Sequence, residues 1–199
     1  METFVRNFFM GATLAFGLVL FSSSATGHFF DEKADIKKAQ KDILDLAKKI
    51  EEGKDVGSDC AAIRKKYEEL NTLMHSFKPS PKGGIGTGLE PKAGDGIEVK
   101  IINLGKRALS PAALTKEKSA IVKLGYINAA LAEISMHYAP EKPKGGKGAK
   151  EWKAYCEEMK KASMELVEAA NAGKLPAIKT AATNLNNSCN NCHSDFRDS

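Results

Sequence analysis

Apolar side chains recur three and four positions apart along most of this chain, the spacing that gathers them on one face of an α-helix. Six segments follow it. The first predicted helix runs from about Asp31 to Glu52, with Ile36, Ile43, Leu46 and Ile50 inward, and Gly53 and Gly57 break it. The second spans about Ser58 to Phe77, where Cys60, Ile63, Tyr67, Leu70, Met74 and Phe77 form one continuous stripe, and Ser58 or Asp59 can cap its start. A short third helix carries Ile97, Ile101, Leu104 and Ala108 on one side, and Ser110-Pro111 makes a fresh helix start. The fourth long element covers about Lys116 to Tyr138, with Ile121, Leu124, Ile127, Leu131 and Ile134 inward and Pro140 as its stop. The fifth, about Lys150 to Asn171, lines up Trp152, Cys156, Met159, Leu166 and Ala170. The last begins near Lys174, with Pro176 acceptable in a first turn, and places Leu175, Ile178, Ala182, Leu185, Cys189, Cys192 and Phe196 on a bundle seam.

No segment reads as a strand. Residues 78–96 hold Pro79, Pro81, Pro91 and six glycines, which predicts a long loop. The composition, rich in Ala, Lys, Glu and Leu with only 7 % aromatics, agrees with an all-α fold. A hydrophobic share of 42 % and a charged share of 28 % suit one packed domain over residues 26–199 and argue against disorder. The net charge of +5 is spread along solvated helix faces, with no basic patch interleaved with aromatics, so nucleic acid is not an expected partner. The lysine-rich stretch Lys142–Lys150 also contains Pro143, Gly145, Gly146 and Gly148 and reads as a loop.

The N-terminus differs in character. Arg6 precedes an apolar run from Phe8 to Phe21, followed by Ser22-Ser23-Ser24-Ala25-Thr26-Gly27. A basic start, an apolar stretch of this length and a small-residue exit predict a secretory signal peptide over residues 1–25. The alternative is an uncleaved anchor, for which the run is short. The expected location is therefore periplasmic or otherwise exported, with no stable membrane span after cleavage.

Near the C-terminus, Cys189-Asn190-Asn191-Cys192-His193 is a C-x-x-C-H sequence, the attachment signature of c-type haem. The spacing has a physical reason. Two thiols three residues apart on a helix lie on nearly one side, where each can add to one of the two vinyl groups on neighbouring edges of a porphyrin. His193, four residues after Cys189, shares that face and can stand under the iron as the proximal ligand. A thioredoxin-like redox pair sits at a helix start after a strand, whereas this pair ends a helix in a strandless chain. A structural zinc site would draw its remaining ligands from Cys60, Cys156, His28, His75 and His137. A plain Cys189–Cys192 disulfide leaves His193 unexplained. One covalently held haem c is the expected cofactor. Neither paired carboxylates nor a Ser/His/Asp order suggests hydrolysis, and the glycines at 83–88 lack the strand and lysine of a nucleotide loop. The chain reads as a carrier rather than an enzyme.

The last 50 residues resemble the class II cytochromes c, the cytochrome c prime family. The resemblance rests on Trp152, Met159, Ala162-Ser163, Leu166, Ala169-Ala170, Gly173, Cys189 to His193 and Asp195-Phe196-Arg197. It is specific over residues 150–198 and weak before them. It implies a four-helix-bundle-like haem domain, here with an additional N-terminal helical hairpin. It also implies Arg197 near the haem propionates, a distal residue from the first helix of the bundle, and a tendency to form homodimers.

The distal iron ligand decides the function. A thioether or imidazole there suits electron transfer, and an apolar residue leaves the iron open to small gases such as NO or CO. Met74 and His75 end one predicted helix and Met136 and His137 another, each able to reach the haem end of an up-down bundle. Met74 is the distal candidate, against a plain core role on its stripe. Cys60 and Cys156, both on apolar stripes, are read either as a disulfide or as two buried thiols. A monohaem electron carrier with an unknown redox partner is the first reading. A five-coordinate gas-binding haem protein is the second, and a haem-free helical module with a redox disulfide the third.

Overall fold

The computed structural model describes residues 32–87 and 95–197. The expected signal peptide over residues 1–25 lies outside them, as does the middle of the 78–96 loop. The described residues form seven α-helices: α1 (Glu32–Glu51), α2 (Gly57–Lys66), α3 (Leu70–Met74), α4 (Ile97–Lys106), α5 (Pro111–Ser135), α6 (Ala149–Asn171) and α7 (Leu175–Phe196). Among the described residues the only β pairing is one isolated bridge, between Lys144 and Lys147. The fold is all-α, and no described helix is long and apolar enough to cross a membrane.

The longest interfaces join α5 to α6 and α6 to α7, followed by α4 on α7 and α1 on α5. Neighbours run in opposite directions. Lys118 Nζ at the start of α5 donates to the Asn171 carbonyl at the end of α6, while Lys160 on α6 pairs with Glu133 near the end of α5. The α4–α7 contact is tight because α4 carries Gly105, where a β-carbon would stand 3.1 Å from Thr183 Oγ1 and 3.4 Å from its Cα. Lys100 on α4 also pairs with Glu117 on α5. Ile121, Leu124, Ile127, Leu131 and Ile134 of α5 are all buried, as the periodicity predicts. Each such side chain contributes about 1.5–3 kcal/mol on burial.

The N-terminal addition is a hairpin. Lys66 pairs with Asp42 at 2.6 Å and Lys49 with Asp59 at 2.7 Å, so α1 and α2 are antiparallel. The predicted continuous helix over 58–77 is in fact broken. Tyr67 and Glu69 are extended, with φ/ψ of −120/107° and −99/119°, and a five-residue α3 and a 3-10 turn His75–Phe77 follow. Long-range side chains hold the break. Tyr67 Oη donates to Asp42 Oδ2 at 2.7 Å, and Tyr138 Oη donates to the Tyr67 carbonyl at 2.6 Å. The carbonyl freed from the helix ladder thus keeps a partner. Neither Ser58 nor Asp59 caps α2, whose N-cap is Val56; Asp59 serves Lys49 instead. Ala108 is exposed beyond the end of α4 rather than on its inner side. Ser110 caps α5 as expected, its side chain accepting from Ala113 N–H at 3.1 Å.

Candidate functional site

The C-x-x-C-H motif occupies the last two turns of α7, which reaches its end at Phe196. That end is locked to its neighbours by aromatic residues of α6. Trp152 meets Phe196 edge-on, with ring centroids 5.1 Å apart, and donates from Nε1 to the Ser135 carbonyl at the end of α5 at 2.6 Å. Tyr155 also packs edge-on against Phe196 and donates to Asp195 Oδ2 at 2.6 Å. Lys147 reaches the same carboxylate at 3.6 Å. The ends of α5 and α7 and the start of α6 therefore form one fixed platform under the motif.

On that platform Cys189 and Cys192 are half-buried and His193 is exposed. Burial pushes the Cys189 thiol up to about 11, against a Ser188 hydrogen bond that works the other way. Burial and then the Asp195 charge push Cys192 up to about 11. Thiols held this far up are protonated at neutral pH, the opposite of a redox-active thiolate pair. Although its edge is exposed, His193 is held below the ordinary imidazole value by partial desolvation and then by the Arg197 guanidinium, with Glu98 opposing. A neutral imidazole is the form that binds a metal. Two thiols and one neutral imidazole on one helix end fit the donor set of a covalently held haem.

The first turn of α4 lies beside the motif. Gly105 faces Thr183, and the Glu98 carboxylate, about two turns back along α4, acts on both Cys189 and His193. Ile97 and Ile101 of this helix are fully buried. Sequence reasoning did not find Glu98. It falls on the polar side of a short helix, and no pattern within α4 marks α7 as its neighbour.

Arg197 caps α7, exposed, with its N–H bonded to the His193 carbonyl at 3.1 Å. Met74 is half-buried at the end of α3, which packs on α1, and the turn His75–Phe77 that follows it meets α4. His75 is half-buried beside Lys78, Met136 is half-buried and His137 exposed. Cys60 and Cys156 are separate buried free thiols, each pushed up to about 12, mainly by burial.

Residues 126–197, from the middle of α5 to the end of α7, match the family model described as Cytochrome C'. This segment is similar to the cytochrome c' family. The match covers the motif, the aromatic platform, the end of α5 and all of α6 and α7, and it points to haem binding. No curated protein and no solved structure matches the chain significantly. The cytochrome c' match begins after α4, so the partner of α7 on its other side is known from the structure alone.

Proposed function

We propose that the chain is a monohaem c-type cytochrome of an exported compartment, an electron carrier rather than an enzyme. The observation that carries this reading is the placement of Cys189, Cys192 and His193 on the fixed end of α7 within the cytochrome c' segment. When bound, the haem supplies an iron that changes between two oxidation states. Cys189 Sγ and Cys192 Sγ would hold the haem through thioether bonds, one to each thiol. His193 would be an iron ligand, and its exposure keeps this edge of the site close to the surface. Trp152 and Tyr155 fix Phe196 and Asp195, and so steady the helix end that carries the three donors. Arg197, four residues after His193, offers its guanidinium to a propionate.

A second reading is favoured by α4. The helix beside the motif, Ile97–Lys106, contains neither methionine nor histidine. An apolar distal side made by Ile97 and Ile101 would leave the iron open to NO or CO.

The test is the mature protein from a host competent for haem attachment. Haem that stays with the chain after denaturation, and is lost in the Cys189→Ala/Cys192→Ala variant, is the expected result. A sharp low-spin spectrum on reduction supports electron transfer, ready uptake of CO by the reduced protein supports the second reading, and a colourless product refutes both.

A further inference from the structure

The connection between α5 and α6 is more ordered than its composition suggests. Lys144 and Lys147 exchange two backbone hydrogen bonds, of 2.8 and 2.9 Å, around Gly145 and Gly146, whose φ values are 57° and 82°. Two central residues at positive φ make a tight hairpin turn that glycine enters without strain. Pro140 and Pro143 restrict the chain before it. After it, Gly148 N–H donates to Glu151 Oε2 at 2.8 Å, which ties the turn to the first turn of α6.

This small rigid structure displays charge. Lys142, Lys144, Lys147, Lys150 and Lys153 stand against Glu141 and Glu151, a surplus of three positive charges in a chain whose net charge is +5. The four other than Lys147 are exposed. Lys147 reaches Asp195, two residues beyond His193, and Trp152 meets Phe196. The lysines therefore crowd the same end of the bundle as the motif.

The geometry points to this turn as the docking surface for an acidic face of a partner protein that exchanges electrons at this end of the bundle. The electron exchange rests on the haem reading above; the docking does not. Among the described residues the one exposed large apolar side chain is Val99 on α4, so the turn offers nothing to insert into a lipid surface. Complementary charge fixes orientation and speeds encounter, and the effect falls as salt rises.

The experiment uses the full haem-loaded chain and labelled poly-L-glutamate as the acidic probe, read by fluorescence anisotropy over a salt series. The variant is Lys142→Gln/Lys144→Gln/Lys150→Gln, and the control is Lys106→Gln/Lys116→Gln/Lys179→Gln at the opposite end. The expected result is salt-sensitive binding, weakened about tenfold in the first triple variant and under about twofold in the control. Equal loss in the two variants, or binding to phosphatidylglycerol vesicles without binding to polyglutamate, overturns the proposal. The same lysine-dependent binding by a chain that takes up no haem supports the surface while overturning the haem reading.

Discussion

Gly125 lies buried in the middle of α5, facing α6, and the structure sets a value on its missing side chain. A β-carbon there would stand 2.4 Å from Val167 Cγ2 and 3.0 Å from the Ser163 carbonyl oxygen. Carbon atoms settle about 3.5–4.0 Å apart, so the Gly125→Ala methyl has to push something by an ångström or more. The Ser163 carbonyl is backbone, and a valine in a helix has one strongly preferred rotamer, so neither neighbour yields cheaply. Overpacking of this kind costs about 1–3 kcal/mol, and alanine returns about 1 kcal/mol of helix propensity. The severity of the clash places Gly125→Ala in the upper part of that range, a net loss of about 1–2 kcal/mol. Val167→Ala, which deletes two buried methyl groups, should cost about 1–3 kcal/mol by itself. Combined, the new methyl occupies part of the vacated space, and the double variant should be more stable than additivity allows by about 1 kcal/mol. Urea unfolding followed by far-ultraviolet circular dichroism measures all four corners of this cycle, provided the slope stays constant. A Gly125→Ala variant as stable as the parent, or strict additivity with Val167→Ala, would refute the α5–α6 packing described here.

Three further outcomes follow from single contacts. Ser110→Ala should lower stability by about 1 kcal/mol, seen as an earlier urea midpoint, because Ser110 Oγ accepts the Ala113 N–H at the start of α5. The Glu151 carboxyl is held below its ordinary 4.5 by the Gly148 N–H and then by its own N–H. Its contribution is therefore full above that value and is lost as pH falls through the lower folded one. A Glu151→Gln variant should accordingly show a flatter stability curve in the acid range below about pH 5. With Cys189 and Cys192 tied to haem, a thiol reagent should find no reactive group in the native protein and two, Cys60 and Cys156, once it is unfolded; reaction in the native state would contradict their burial.

The long helices were legible because each buries one broad apolar stripe, and α1, α5 and α6 are followed within a few residues by glycine or proline. The α6 limits and the start of α7 agree with the predicted ones to within a residue. The motif was legible because its spacing within one helix is the chemistry. What escaped depends on distant residues. Nothing between Ser58 and Phe77 breaks the apolar rhythm; the helix stops because Asp42 and Tyr138, far away in sequence, bind Tyr67 and its carbonyl. The neighbour of α7 opposite α6 was equally hidden, since α4 is short and its fit depends on Gly105 meeting Thr183.

Trp152 is the single tryptophan of the chain, and it stands against Phe196, three residues from His193. Its indole emission overlaps the strong absorption of a porphyrin, so at this position a bound haem would drain the excited state before it radiates. Fluorescence thereby becomes a built-in gauge of loading and opening: dark when the cofactor is seated, bright in the empty chain, and bright again as the helix ends part during unfolding. The residue that braces the end of α7 also reports, without any added label, whether the site is filled.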